Sequence, residues 1–141
     1  MPLSKDLLIG FLAAAIAVVI AHQLIVFILN IAGIWPAKPW SMAPIGPYQV
    51  PTIVNSIFWG ALWGVVYALV QSYLPGDQPW IKGLIFGLLI AVVSNFTLLA
   101  LIKGQPLFMG ADPKKIAVVL TILAGFGAAT GILYDKLRSI M

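Results

Sequence analysis

The chain has 141 residues, of which 62% are hydrophobic and only 9% are charged. A soluble domain carries about 25% charged residues, so this composition excludes an ordinary water-soluble fold and predicts an integral membrane protein. The absence of cysteine excludes a disulfide framework and a thiolate metal site. The net charge of +4 does not indicate nucleic-acid binding, because the basic residues are scattered where lipid headgroups would meet them.

Four apolar runs contain no charge and no proline, and they cover residues 7–29, 53–74, 83–102 and 116–134. A helix of about 20 residues rises by about 30 Å, which is the thickness of a bilayer core. All ten prolines lie outside the runs, as expected if the runs are helices. We therefore predict an all-α integral membrane protein with one domain over residues 1–141, in which four transmembrane helices form two helical hairpins.

The first run is too long for a signal peptide, so we expect a retained helix. It contains His22, the only histidine, followed by Gln23. An ionisable residue inside a membrane is a functional hypothesis by default. His22 would serve as an axial ligand of haem or chlorophyll, as a hydrogen-bond donor to a quinone, or as a pH-sensitive switch. The alternative is a neutral histidine that bonds to a neighbouring helix, for example through Asn55, Ser94 or Asn95.

A proline-rich loop at residues 35–52 follows the first helix. Two tryptophans and one tyrosine suit the headgroup layer, where amphipathic rings concentrate. We expect this loop to lie on the membrane surface or to cap the bundle. A plain surface linker is the alternative.

Small residues recur at helical spacing in every run. Lipid tails are as apolar as leucine, so membrane helices associate through close packing and hydrogen bonds, and glycines four apart let two backbones approach. In the first run the row is Gly10, Ala14, Ala17 and Ala21. In the later runs the predicted helix-packing residues are Gly60, Gly64, Gly83, Gly87, Gly127 and Gly131.

The second run also carries Trp59 and Trp63, four residues apart and deeper than an interfacial belt would place them. We predict that they project together as anchors of an interface with another protein. Lipid-facing or bundle-filling tryptophans are the alternative.

Polar residues inside the runs are uncharged. The principal ones are Gln23, Asn55, Ser56, Ser94 and Asn95. They are expected to bond across helices, or to line a path for a neutral solute. No carboxylate lies inside a run, which argues against a carrier coupled to protons or sodium through Asp or Glu. Protein-only metal sites and enzymatic nucleophile motifs are also missing, so we predict no catalytic residues, no metal and no enzyme.

The two halves suggest a tandem parallel repeat. Residues 16–19 (IAVV) match residues 90–93, and the Gly60/Tyr67 pair matches the Gly127/Tyr134 pair. Chance similarity among Ala, Val and Gly is the alternative. The last helix is expected to begin at Pro113 with Asp112 as its N-cap.

Basic residues are balanced, four against four, on the two sides of the predicted bundle, so the positive-inside rule does not choose an orientation. We expect both termini in the cytoplasm, because the proline-rich loop with its single charge is the easier one to translocate.

Residues 58–64 (FWGALWG), residues 42–51 (MAPIGPYQVP) and Ala21-His22-Gln23 resemble a group of short, uncharacterised four-helix inner-membrane proteins of proteobacteria. The resemblance covers mainly residues 10–70. It implies a multi-pass protein of the bacterial inner membrane, and it implies no activity and no site residue.

These observations predict a non-enzymatic accessory or structural subunit, whose partners are the lipid bilayer and other membrane-protein subunits or copies of itself, with no nucleic acid. A small oligomeric channel or transporter for a neutral solute is the second interpretation. Binding of haem, chlorophyll or a quinone through His22 is the third.

Overall fold

The computed structural model describes residues 3–34, 38–45, 48–90, 93, 101–102, 104 and 112–141. Over these residues the fold is helical apart from one pair of two-residue antiparallel strands in the first loop. In chain order the elements are α1 (Leu3–Ala17), a π-helical turn (Val18–His22), α2 (Gln23–Ile31), β1 (Pro44–Ile45), β2 (Val50–Pro51), α3 (Thr52–Val70) with a 3₁₀ turn (Gln71–Tyr73), α4 (Pro79–Ile90) and α5 (Pro113–Ile140).

In the part of the chain that the structure describes, three helical segments are long and apolar enough to cross a membrane: Ser4–Ile31, Thr52–Tyr73 and Pro113–Ile140. At 1.5 Å per residue they measure about 42, 33 and 42 Å, compared with about 30 Å for a bilayer core. The described part of α4 has 12 residues, and much of the rest of the predicted run at 83–102 lies outside the described residues.

The first and last helices extend past their apolar runs and include charged residues at their ends. The start of α5 has a simple local cause. Asp112 is its N-cap, and its carboxylate oxygen Oδ1 accepts from the main-chain N–H of Lys114 at 3.0 Å and of Lys115 at 3.4 Å. Pro113 is the first helical residue, where a missing N–H costs nothing. The predicted cap is therefore confirmed.

Helices α1 and α3 pack as one antiparallel hairpin, and α4 and α5 pack as another. The hairpins meet where α1 lies against α5. On the opposite side, rings from α3 and α4 close the gap, since Tyr67 and Phe86 are 5.2 Å apart between ring centroids and Trp63 and Phe86 are 6.4 Å apart. The core thus combines small residues on α1 with aromatic rings on the other helices.

Candidate functional site

The first helix is interrupted at its middle. In a continuous α-helix the main-chain N–H of Gln23 would bond to the carbonyl of Val19. Here it reaches the carbonyls of Val18 and Ile20 instead. This π-helical turn therefore contains one residue more than an α-helix would use, and such turns are frequent at functional sites.

Trp40 from the proline-rich loop occupies this interruption. Its indole N–H donates to the Val19 carbonyl at 2.8 Å, and its main-chain N–H donates to the side-chain oxygen of Gln23, also at 2.8 Å. Its ring lies 6.0 Å from that of Phe27. Trp40 therefore joins the loop to the middle of the first helical segment.

The Gln23 amide links Trp40 to His22 by hydrogen bonds and thereby sets which nitrogen of the His22 ring accepts. Gln23 is 6% exposed, and because its oxygen accepts from Trp40, its NH₂ group faces His22. That group can only donate, so His22 Nδ1, 3.1 Å away, must accept. The neutral ring then carries its proton on Nε2. The half-buried His22 ring also meets Phe126 edge-on at 6.1 Å.

This tautomer bears on the cofactor hypotheses for His22. A haem or chlorophyll metal bound at Nε2 needs the lone pair of that nitrogen. Because Nδ1 accepts from Gln23, Nε2 of the neutral ring carries the hydrogen and has no lone pair to offer a metal. The arrangement instead suits donation from Nε2–H to an acceptor. Within the described residues, no three His, Asp or Glu side chains come close enough together to hold a metal ion.

The glycines of the second hairpin lie in backbone contact. A Cβ added to Gly83 would overlap the carbonyl oxygen of Gly127, and one added to Gly127 would overlap that of Gly83, in both cases well under 3.0 Å. Gly87 meets the Leu123 carbonyl, and Gly131 meets that of Pro79. The α4–α5 crossing therefore tolerates no side chain along two turns of helix.

The first hairpin has one reciprocal contact of this kind, between Gly10 on α1 and Gly64 on α3. One turn further along α3, Gly60 faces a side chain, that of Val18 at the start of the π-helical turn. The backbones of α1 and α3 thus touch at one point and are then separated by side-chain atoms.

The two predicted interface tryptophans occupy different environments. Trp59 is 55% exposed and lies edge-on to the exposed ring of Phe58 at 5.5 Å. Trp63 packs inward against the core and Phe86. Residues four apart on a helix differ by about 40° in direction, which at the edge of an interface separates an exposed side chain from a packed one.

Of the predicted intramembrane polar residues, Gln23 has the partners given above, and Asn55 and Ser56 are half-buried in the first turns of α3. Ser94 and Asn95 lie outside the described residues. Another buried polar side chain, Thr130, donates to the carbonyl of Phe126 in its own helix at 2.8 Å, whereas the buried Tyr134 hydroxyl has no hydrogen-bond partner in the described part of the chain.

Sequence reasoning missed a cluster of charges at the end of the bundle where α1 begins and α5 ends. Arg138 Nε lies 3.5 Å from Asp6 Oδ1, and the Arg138 guanidinium carbon is 5.9 Å from the centre of the Tyr134 ring. The Lys5 ammonium donates to the main-chain oxygen of Met141. Charges placed just outside the first and last apolar runs were the available signal.

Comparison of the chain with protein-family models, curated proteins and solved structures finds no match. The resemblance to small inner-membrane proteins therefore stays a prediction, and the contacts within the molecule are the basis for a functional proposal.

Proposed function

We propose that the chain is a non-enzymatic, multi-pass membrane protein that acts as an accessory or structural subunit, packing against other membrane proteins. One observation carries this proposal. Two buried polar side chains, Gln23 and Thr130, bond within the chain itself, and the buried Tyr134 hydroxyl, which has no hydrogen-bond partner among the described residues, belongs to a ring packed against Tyr67. The described interior is packed with glycine crossings and aromatic rings, which favours a structural role over conduction through one copy.

A four-span arrangement is supported by the cluster at the helix ends. The contacts of Lys5 with Met141 and of Asp6 with Arg138 place the start of α1 and the end of α5 at the same end of the bundle. Helices that begin and finish at one end need an even number of crossings. We propose that α4 continues as the fourth span, and that both ends lie on the cytoplasmic side of a bacterial inner membrane.

We propose that the two hairpins are related. The match of Gly60 and Tyr67 with Gly127 and Tyr134 supports this proposal, and the match of residues 16–19 with residues 90–93 does not. Gly64 lies against Gly10 and Ala14, and Gly131 lies against Pro79 and Gly83. Matching Gly64 to Gly131 therefore aligns α1 with α4 at an offset of 69 residues. The IAVV match requires 74, more than one helical turn away. Contact of the Tyr67 and Tyr134 rings at 5.3 Å fits a pseudo-twofold axis between the hairpins.

The partner surface that we propose is the outer face of α3 around Phe58 and Trp59. These two rings are large, exposed and in contact with each other within a membrane-length helix. Large aromatic side chains of this kind dominate the energetics of interfaces. Trp63 belongs to the interior of the bundle and is not part of this surface.

The test is gentle purification from the native membrane, followed by native mass spectrometry and an absorption spectrum of the same sample. The accessory proposal predicts further subunits, which are lost in Trp59→Ala and kept in Leu69→Ala, a matched truncation of another exposed residue on α3. A colourless homo-oligomer alone that raises solute flux in liposomes would overturn the proposal in favour of a channel. A visible chromophore that disappears in His22→Ala would instead assign a cofactor-binding role.

A further inference from the structure

The loop holds a strained residue against the interruption in the first helix. Trp40 has a φ of +48°, in the left-handed region that bulky residues rarely adopt. Such a conformation persists when surrounding contacts enforce it. Two hydrogen bonds at 2.8 Å and the contact with Phe27 provide that enforcement.

The hydrogen bond from the Trp40 indole to the Val19 carbonyl matters because of where Val19 lies in the helix. Val19 lies near the middle of the Ser4–Ile31 segment, about 18 Å from its Ile31 end at 1.5 Å per residue. At that depth a lipid environment offers no water to donate a hydrogen bond, so a carbonyl that has lost the Gln23 N–H as its donor gains stability from another protein donor. The Trp40 indole is that donor.

We propose that Trp40 is a latch for the π-helical turn, and that its release converts the turn into regular α-helix and rotates α2 against α1. Conversion shifts the hydrogen-bond register by one residue, which corresponds to about 100° of rotation and 1.5 Å of translation. The Val19 carbonyl then regains the Gln23 N–H as its partner within the helix. This device is independent of the accessory role proposed above.

The contacts of α1 and α2, which flank the π-helical turn, decide which of these two helices rotates. Rotation of α1 would move Gly10 away from Gly64 and bring a side chain into a crossing that accepts none. In α2, Val26 clusters with the Val118 and Ile122 side chains of α5, and Ile25 packs against this cluster and against the half-buried Gly125. Side chains can repack whereas a backbone crossing cannot, so α1 stays in place and α2 rotates.

The experiment uses the full chain in nanodiscs and measures distances between two spin labels by electron paramagnetic resonance. The natural sequence has no cysteine to interfere. One pair, Ile28→Cys with Leu62→Cys, reports α2 against α3. The other pair, Leu8→Cys with Leu62→Cys, reports α1 against the same reference. All three positions are exposed.

In Trp40→Phe, which keeps a ring but removes the indole donor, we expect the Ile28–Leu62 distance to shift by up to about 8 Å, since a side chain lies 5–6 Å from the helix axis. The Leu8–Leu62 distance should not change. Trp59→Phe, the same replacement at an exposed tryptophan, should change neither. An unchanged Ile28–Leu62 distance in Trp40→Phe would overturn the latch.

Deletion of Ile20, an exposed residue of the turn, keeps the test decisive if Trp40→Phe fails to fold. The deletion removes the additional residue and should give a regular helix that no longer needs a donor. In that background the proposal predicts that Trp40→Phe folds and leaves both distances unchanged. Failure to fold there, or a further shift of Ile28, would contradict it.

Discussion

The two hairpins use the same kind of contact over different lengths. Between α4 and α5, glycine backbone lies against main-chain carbonyls along two turns, and both helices are regular there. Between α1 and α3, backbones touch at Gly10 and Gly64, and then the Val18 side chain separates them. The π-helical turn begins at that same Val18. A continuous backbone crossing holds two helices in a single register, whereas side-chain filling leaves room for an irregular turn.

The largest effect that we expect comes from breaking the second hairpin. Gly127→Ala would place a methyl group on the Gly83 carbonyl, which cannot rotate away. We expect a loss of about 3 kcal/mol in the free energy of unfolding, the upper end of the usual range for overpacking. Unfolding in mixed micelles measures it. Gly125→Ala is the control, because its methyl group meets the flexible end of Ile25 and should cost under about 1 kcal/mol. Equal losses would refute the distinction.

In the first hairpin, a similar substitution should be repairable. Gly60→Ala would collide with the Val18 side chain, and we expect a loss of about 1–2 kcal/mol in the same unfolding measurement. The double variant Gly60→Ala/Val18→Ala should recover much of this loss, because the obstacle is a side chain. If the second change only adds to the first, the contact at this point is not limited by Val18.

Contacts between the hairpins at the charged end should contribute less. Arg138→Gln removes the ion pair with Asp6, in which the arginine side chain is 46% exposed and the aspartate side chain is 15% exposed. A pair with one solvent-exposed partner is largely screened, so we expect a contribution of about 0.5–1 kcal/mol, which salt reduces. Unfolding of the wild type and the variant at low and high salt measures the difference. A loss as large as that of Gly127→Ala would mean that the ends, not the glycine crossings, hold the bundle together.

The smallest expected change in energy concerns the tautomer of His22, which is measured by spectroscopy. Since His22 is the only histidine, ¹⁵N nuclear magnetic resonance of labelled histidine reports its two ring nitrogens without overlap. We expect an unprotonated Nδ1 and a protonated Nε2. Gln23→Leu, which removes the donor to Nδ1, should release this preference. Observation of the Nδ1–H tautomer in the wild type would show that the bond from Gln23 does not form.

Much of the fold could be predicted from local chemistry. Runs without charge or proline indicate helices, and the three runs that the structure describes throughout give membrane-length helices. The cap at Asp112 was predictable because an N-cap depends on neighbours two and three residues away. Glycine spacing indicated close packing, because a residue without a Cβ lets the backbone of any neighbouring helix approach closely.

The π-helical turn and its latch could not be predicted in this way. Nothing in the residues around Val18–His22 distinguishes that stretch from ordinary helix, and its extra residue is stabilised by Trp40, about 20 positions away along the chain. Periodicity alone also could not separate Trp59 from Trp63, because both lie near the boundary of one helix face and the partner helix decides which of them is covered.

The sequence by itself thus determined that this chain is helical, that its long helices suit a membrane, and where the last of them begins. Each of these properties depends on hydrophobicity and hydrogen bonding within a few residues. Only the tertiary structure decided that Gly10 meets Gly64 while Gly83 meets Gly127, that Gln23 sets the tautomer of His22, and that a loop tryptophan pairs the Val19 carbonyl. These contacts join segments distant along the chain, and their geometry depends on how the helices cross.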